Sequence, residues 1–362
     1  MKTQEELKNI VTRFAVEGQV LAVEPLGNGL INDTFLVKTD GPRNYVLQRI
    51  NNAIFKDVAL LQHNVEAVTR HIRAKLATDP DVDRKVLTFL PLKDEEKTYY
   101  EAGDSTFWRI SVFIEGARTH ETVDAESSYR AGKAFGQFEA MLADIPDPIG
   151  ETIPDFHNME LRARQLREAV AADAAGRMAD PAVKALVEEI FTHEEEMCKA
   201  ERMYREGTLP KRICHCDTKV NNMMLDEDGN VLCVIDLDTV MPSFVFSDFG
   251  DFMRTAGNTG AEDDPNLDNV GLDMDIFRAF AKGYIESAGV FLTPVERENL
   301  PYAALLFPYM QTVRFLADYI NGDTYYKIQY PEHNWVRSLA QWKLFRSALE
   351  HLPEMTGYIS SL

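Results

Sequence analysis

Cysteine is scarce in this chain: Cys198, Cys214, Cys216 and Cys233 are the four among 362 residues. They form no C-x-x-C pair and keep no regular spacing, so a disulfide framework is not indicated. Cys214 and Cys216 bracket His215, but alternate residues of an extended segment point to opposite sides, which argues against a thiolate metal site. Also missing is any apolar run of the ~20 residues needed to cross a bilayer. The opening MKTQEELKNIVTRF lacks the apolar core and small-residue cleavage site of a secretory signal. Reduced thiols in a cytoplasmic protein, with no membrane partner, are the expectation. Basic charge is short too: 38 Lys and Arg stand against 58 Asp and Glu, a formal net charge of −20. That balance excludes a surface built to follow a phosphate backbone, so no nucleic acid partner is expected. There is no internal repeat, low-complexity tract or long linker.

What is present suits a globular enzyme. Hydrophobic residues at 45% and charged residues at 27% supply a core that disordered chains lack. Thr3 and Glu6 form a capping-box pattern ahead of Leu7, Ile10, Val11 and Phe14, which predicts an opening helix. Residues 19–25, 31–38 and 45–50 read as consecutive antiparallel strands, broken by Gly27-Asn28-Gly29 and Asp40-Gly41-Pro42. A helix over 57–77 and strands at 86–91, 97–101 and 107–114 complete a small β-rich lobe. From there the chain reads as mainly helical, with helices near 124–142, 160–175, 181–206, 275–288, 294–321 and 335–350. The expected fold is α+β and two-lobed: residues 1–114 a nucleotide-binding lobe, residues 115–362 a helical lobe with the catalytic loop and acceptor site.

One polar stretch interrupts the helices. His215-Cys216-Asp217-Thr218-Lys219-Val220-Asn221-Asn222 fits the kinase catalytic-loop pattern H-x-D-x-K-x-x-N. In that pattern Asp217 accepts or orients the proton of the attacking hydroxyl, Lys219 neutralises the moving phosphoryl group, and Asn222 reaches a magnesium ion. The plainer reading is that Asp217 and Asn222 cap a turn. Against it stands the apolar strand ending in Asp236-Leu237-Asp238 after a short hairpin, since hard divalent cations need such oxygen ligands. Asp236 is the metal candidate beside Asn222. Asp238, read as lying on the same strand face, is either a second ligand or a solvated turn acid.

Taken together, HCDTKVNN and VIDLD resemble the aminoglycoside phosphotransferase and choline kinase family, and the resemblance covers nearly the whole chain. It implies a kinase-like fold, ATP and Mg2+, a small-molecule acceptor, and a monomer or small homo-oligomer. It also implies that Ser247-Asp248-Phe249-Gly250-Asp251 braces the catalytic loop and that Asp236 takes the metal. LGNGLINDTFLV, YVLQRIN, CHCDTKVNN, VIDLDTVMP and RFLADYINGD are similar to the branch that phosphorylates the anomeric hydroxyl of N-acetylhexosamines. From that likeness Arg314 and Tyr325 are expected at a sugar substrate, with Asp217 and Asp238 near its hydroxyls. Spacing alone makes Arg314 and Asp318, four apart, equally an ion pair.

On the nucleotide side, Gly27, Gly29 and Asn32 sit in a turn between strands, so the near G-x-G-x-x-G is not a dinucleotide fingerprint but suits a turn over phosphates. Phe113 and Glu115 fall where adenine meets the interlobe backbone. In kinases a third-strand lysine pairs with the phosphates and a helix glutamate, but Tyr45-Val46-Leu47-Gln48-Arg49 places Gln48 there. Arg49 serves only if the register slips by one, and Glu66 is the candidate helix partner. The missing lysine leaves open a nucleotide-binding pseudokinase, against which the set Asp217, Lys219, Asn222 and Asp236 argues. Another hexose, a choline-like amino alcohol or an aminoglycoside is the alternative acceptor.

Overall fold

The computed structural model describes residues 2–27, 32–120 and 123–362, and the chain folds as two compact units. The first contains the chain up to Arg118 together with Asp144–Pro154 and Met223–Met241. The second contains Thr119–Ala143, Asp155–Asn222 and Pro242–Leu362. No helix among the described residues is long and apolar enough to cross a membrane.

The first unit opens with α1 (Gln4–Val11), whose N-terminus carries the reciprocal Thr3–Glu6 capping box read from the sequence. Then come β1 (Val20–Pro25), β2 (Asp33–Thr39), β3 (Tyr45–Ile50), α2 (Val58–Lys75), α3 (Val82–Lys85), β4 (Tyr99–Glu101) and β5 (Phe107–Val112). The strands form one antiparallel sheet in the order β1-β2-β3-β5-β4. Leu7, Ile10, Val11 and Phe14 pack against Val23, Val37, Leu47, Trp108 and Ile110, the apolar set that two-residue alternation turns to one side of the sheet.

Residues 86–91 do not form the expected strand. They run beside β5 with Leu90 N–H on Ile110 O at 2.9 Å and Val112 N–H on Thr88 O at 2.9 Å, but only Phe89 reaches a bridge, to Ser111. Further along, β7 (Met223–Leu225) and β8 (Val231–Val234), after β6 (Arg212–Cys214) of the second unit, make the expected hairpin, with Met223 opposite Val234. Beyond it Asp236 turns left-handed, at φ 60°, and Leu237–Thr239 coils into a short 3-10 turn. Asp238 therefore does not share a strand face with Asp236, because the strand ends at Val234 and the reversal at Asp236 redirects the chain.

In the second unit, α4 (Ala125–Leu142) begins at the Asp124 cap. It is followed by α5 (Met159–Ala172), α6 (Pro181–Met197), α7 (Lys199–Arg205), then, past the short β9 (Met241–Ser243), α8 (Phe246–Thr255) and α9 (Met274–Ala288). The chain closes with α10 (Pro294–Glu298), α11 (Leu300–Ile320) and α12 (His333–Ser361). The segments read as single helices over 181–206 and 294–321 are each two, divided at Cys198 and Asn299, and α12 runs past residue 350. Helix α8 has no counterpart among the expected helices.

Close packing of α4 on α9 depends on glycine: a Cβ at Gly283 would lie 2.1 Å from Tyr129 O, and one at Gly132 2.2 Å from Phe280 O. The aromatic core follows from that approach, with Phe252 and Phe280 stacked at 3.9 Å and Phe249 edge-on to Phe277, Phe280 and Tyr284.

Candidate active site

The catalytic-loop segment begins at the end of β6, where apolar Cys214 is fully buried. His215 is also sealed, with the ring edges of Phe135 and Phe138 each 5.8 Å away. Cys216 is left-handed at φ 63°, a conformation that a non-glycine residue keeps only when its surroundings impose it. Here the surroundings are the first turn of α8. Asp248 accepts the N–H of His215 on Oδ2 and that of Cys216 on Oδ1, both at 2.7 Å. Thr218 adds its hydroxyl on Asp248 O at 2.7 Å and its N–H on Asp251 Oδ2 at 3.1 Å. Two buried carboxylates thus take three amides of the four-residue stretch 215–218, which fixes the backbone on either side of Asp217.

Asp217 itself is one-fifth exposed, and its carboxylate faces Lys219, whose Nζ is 2.8 Å from Oδ1. Asn222, in the 3-10 turn Val220–Asn222, donates its amide to Asp217 O at 2.8 Å and Oδ2 at 3.2 Å. That leaves the Asn222 carbonyl oxygen as the atom a cation can take. Burial alone raises the Asp217 carboxyl, but Lys219, His215 and Arg254 outweigh it and hold the group below its ordinary value. Burial raises Asp251, with Arg254 opposing and Asp217 adding to the rise. The two acids are thus shifted in opposite directions, Asp217 down and Asp251 up.

Beneath the loop, Glu139, Cys214 and Asp248 bring ligand-type atoms within 4.8 Å of one another. Burial, with Asp248 beside it, pushes the Glu139 carboxyl well up, and burial does the same to the Cys214 thiol. Both shifts favour the protonated forms, and all four cysteines are free.

Of the expected acceptor residues, Asp217, Arg314 and Tyr325 lie in the second unit and Asp238 in the first. Arg314 donates to Gln311 Oε1 at 3.1 Å and stands over the rings of Phe156 and Tyr326. Arg162 is near enough that burial together with Arg314 brings it down to about 10. The same arginines, after burial, keep His157 well below its ordinary value. Tyr325 is 72% exposed. Asp318 forms no pair with Arg314. It accepts the N–H groups of Thr324, Tyr325 and Tyr326 at 2.8–2.9 Å and the Asn334 amide at 2.9 Å, organising the loop that carries Tyr325. This role leaves no periodic trace in the sequence.

In the first unit, Gly27 is left-handed at φ 68°, while Gly29 lies outside the described residues. Asn32 is buried, donating to Asp238 Oδ2 at 2.7 Å and accepting the Asn51 N–H at 3.0 Å. Gln48 stands opposite Thr34 and Arg109, and its Oε1 accepts Arg109 Nε–H at 2.9 Å. Arg49 points to Asp33, 3.2 Å away on the exposed face. Glu66 accepts the Thr98 hydroxyl. The Phe113 N–H is taken by Asn44 O at 2.9 Å, and Glu115 Oε1 accepts the Asn44 amide at 2.9 Å. Asp238 is 3% exposed, with Oδ1 2.6 Å from Arg109 Nη1 and Oδ2 on Asn32. Arg109 was not singled out in the sequence, where it reads only as an inward strand position.

Comparison with known proteins bears on the family and the fold. The profile of the phosphotransferase enzyme family matches residues 22–284. Similar solved structures include a microcompartment-associated aminopropanol kinase, at TM-score 0.64 and 17% identity over 97% of this chain and 98% of that one. An aminoglycoside phosphotransferase from Alicyclobacillus acidocaldarius superposes at TM-score 0.63 with 14% identity, covering 98% and 96% of the two chains. A choline kinase from Streptococcus pneumoniae gives 0.50 and 15%, covering 97% and 98%. At these identities the likenesses speak to the fold alone, which is that of kinase-like phosphotransferases. Because the profile match spans well over half its length, the chain belongs to the phosphotransferase enzyme family and is a small-molecule kinase with an alcohol acceptor.

Proposed function

We propose that this enzyme, a cytoplasmic N-acetylhexosamine 1-kinase, transfers the γ-phosphoryl group of ATP to the anomeric hydroxyl of an N-acetylhexosamine such as GlcNAc or GalNAc. The observation that carries the reading is the braced loop: Asp217 is held ionised between Lys219 and Asn222 by the grip of Asp248 and Asp251 on its flanking amides. In this reading Asp217 orients the acceptor hydroxyl and takes its proton as the new P–O bond forms, while ADP leaves. Lys219 lies against charge that develops on the transferred group. The mechanism is mostly positioning and charge neutralisation.

The kinase loop pattern assigns Asn222 to Mg2+ and the family resemblance assigns Asp236, and each offers the hard oxygen donor that the ion requires. Asn222 turns its amide nitrogen to Asp217, and the hairpin from Met223 to Val234 begins one residue after Asn222 and ends two before Asp236. Bound there, the ion supplies neutralisation of the β- and γ-phosphate charge. Asp238 does not fit as a second ligand, because Arg109 and Asn32 engage both its oxygens.

For the acceptor, the segments from LGNGLINDTFLV to RFLADYINGD resemble N-acetylhexosamine 1-kinases. Arg314 and Arg162, two guanidinium groups near one another, with Arg162 lowered by burial and then by Arg314, suit a neutral acceptor against the amino alcohols and aminoglycosides of the structural neighbours. The second reading, a cationic acceptor, rests on those neighbours and on the net charge of −20. Phosphorus NMR of the protein with MgATP and a panel of GlcNAc, GalNAc, glucose, choline and an aminoglycoside separates them. A sugar 1-phosphate signal is expected; phosphate on another position or acceptor overturns the proposal, and unconsumed ATP marks a pseudokinase.

A further inference from the structure

The third strand of this sheet carries glutamine where kinases place the lysine that bridges the phosphates and a helix glutamate. The helix glutamate candidate, Glu66, is occupied by Thr98. Gln48 reaches across the ladder instead: its register partner on β5 is Arg109, whose Nε–H it accepts at 2.9 Å. The same guanidinium places Nη1 2.6 Å from Asp238 Oδ1, with the two side chains only 2% and 3% exposed. The other Asp238 oxygen takes the Asn32 amide at 2.7 Å, and its backbone carbonyl takes the Thr152 hydroxyl at 2.9 Å.

Asp238 is the middle residue of the 3-10 turn that follows Asp236. Asp236 is left-handed, a strained conformation for a non-glycine residue that persists only where neighbours over-determine it. Among the neighbours that constrain it is the turn anchored through Asp238. A buried carboxylate ion-paired with a guanidinium at one oxygen and hydrogen-bonded to an amide at the other is restricted in position, and losing the guanidinium leaves its charge uncompensated.

We infer that Arg109 is a positioning residue in a sheet that lacks the third-strand lysine: through its ion pair with Asp238 it sets the 236–239 turn, and thereby the aim of the Asp236 carboxylate at the divalent cation. Gln48 holds the guanidinium in place, and Asn32 ties the same aspartate to the residue that ends the nucleotide-side turn. Being buried, Arg109 touches neither nucleotide nor acceptor. The inference rests on the reading of Asp236 as a metal ligand, and it does not depend on which acceptor is used.

The test reads nucleotide binding, not turnover. Calorimetric titration of ADP into the protein, with Mg2+ and with EDTA, gives the factor by which the metal tightens binding. Residues that orient metal ligands typically change metal affinity about 10–100-fold. Arg109→Gln is expected to cut the Mg2+ factor at least tenfold while the EDTA affinity stays within about twofold, and Arg109→Lys to restore part of it. Should Arg109→Gln fail to fold, the double variant Arg109→Gln/Asp238→Asn, which removes both buried charges, is read the same way. A wild-type Mg2+ factor in either folded variant overturns the role of Arg109. No Mg2+ factor in the wild-type protein overturns the metal reading of Asp236 itself.

Discussion

The ammonium nitrogen of Lys219 lies 2.8 Å from Oδ1 of Asp217. The pair does two things at once: it compensates a carboxylate that is largely enclosed, and it keeps that carboxylate ionised at pH values where an ordinary one begins to take up protons.

This pairing predicts a displaced pH profile. Asp217 has to be ionised to accept a proton, so kcat/KM rises with pH through its pKa. Burial pushes that pKa up and Lys219, the largest opposing influence, pulls it down. Lys219→Met therefore moves the acid limb of kcat/KM to higher pH as well as lowering its plateau. An acid limb that stays in place when turnover drops would show that Lys219 acts on the phosphoryl group alone.

Glu139 carries the opposite shift. Tyr284 donates its hydroxyl to Glu139 Oε2 at 2.6 Å, and burial with nearby Asp248 raises the carboxyl well above its ordinary value. Between the unfolded and folded values the folded chain binds the extra proton, so stability falls as pH rises. Glu139→Gln keeps an acceptor for Tyr284 and removes the titration. Urea unfolding between about pH 4 and about pH 8 is expected to show the wild type losing ground to the variant as pH increases. Parallel pH dependences would mean that Glu139 is not protonated in the fold.

Much of this could be read from the residues. Caps mark α1, α4 and α10 because Thr3–Glu6, Asp124 and Thr293–Glu296 satisfy amides a few residues away. The strands show because one face is buried and alternation reports it. Helix α8 was missed although Phe246, Phe249, Phe252 and Met253 recur at helical spacing, because the segment is ten residues long and its acids Asp248 and Asp251 read only as a bracing element for the catalytic loop. The catalytic loop was legible because its chemistry needs four residue types within eight positions. Arg109 and Asp318 were not, because their partners are set by the folded chain; Asp318 four residues after Arg314 suggested an ion pair where the carboxylate instead gathers loop amides.

The Asp318 arrangement predicts a separation of kinetic constants. Asp318→Asn places an amide NH2 where the carboxylate accepted backbone N–H groups, leaving donors facing donors. If the loop presents Tyr325 to the acceptor, the acceptor KM rises about tenfold or more, as loss of about 1.4 kcal/mol or more of binding requires. The KM for MgATP should change less than about twofold. Equal increases in both constants would point to general loosening of the unit.

The central claim is that Asp217 performs the proton step on a loop whose shape does not depend on its charge. The most direct test is steady-state turnover and ADP affinity of Asp217→Asn beside the wild type. Loss of a positioned proton acceptor predicts turnover lowered by about 10^2–10^4-fold with ADP affinity unchanged. Turnover close to that of the wild type would contradict the account.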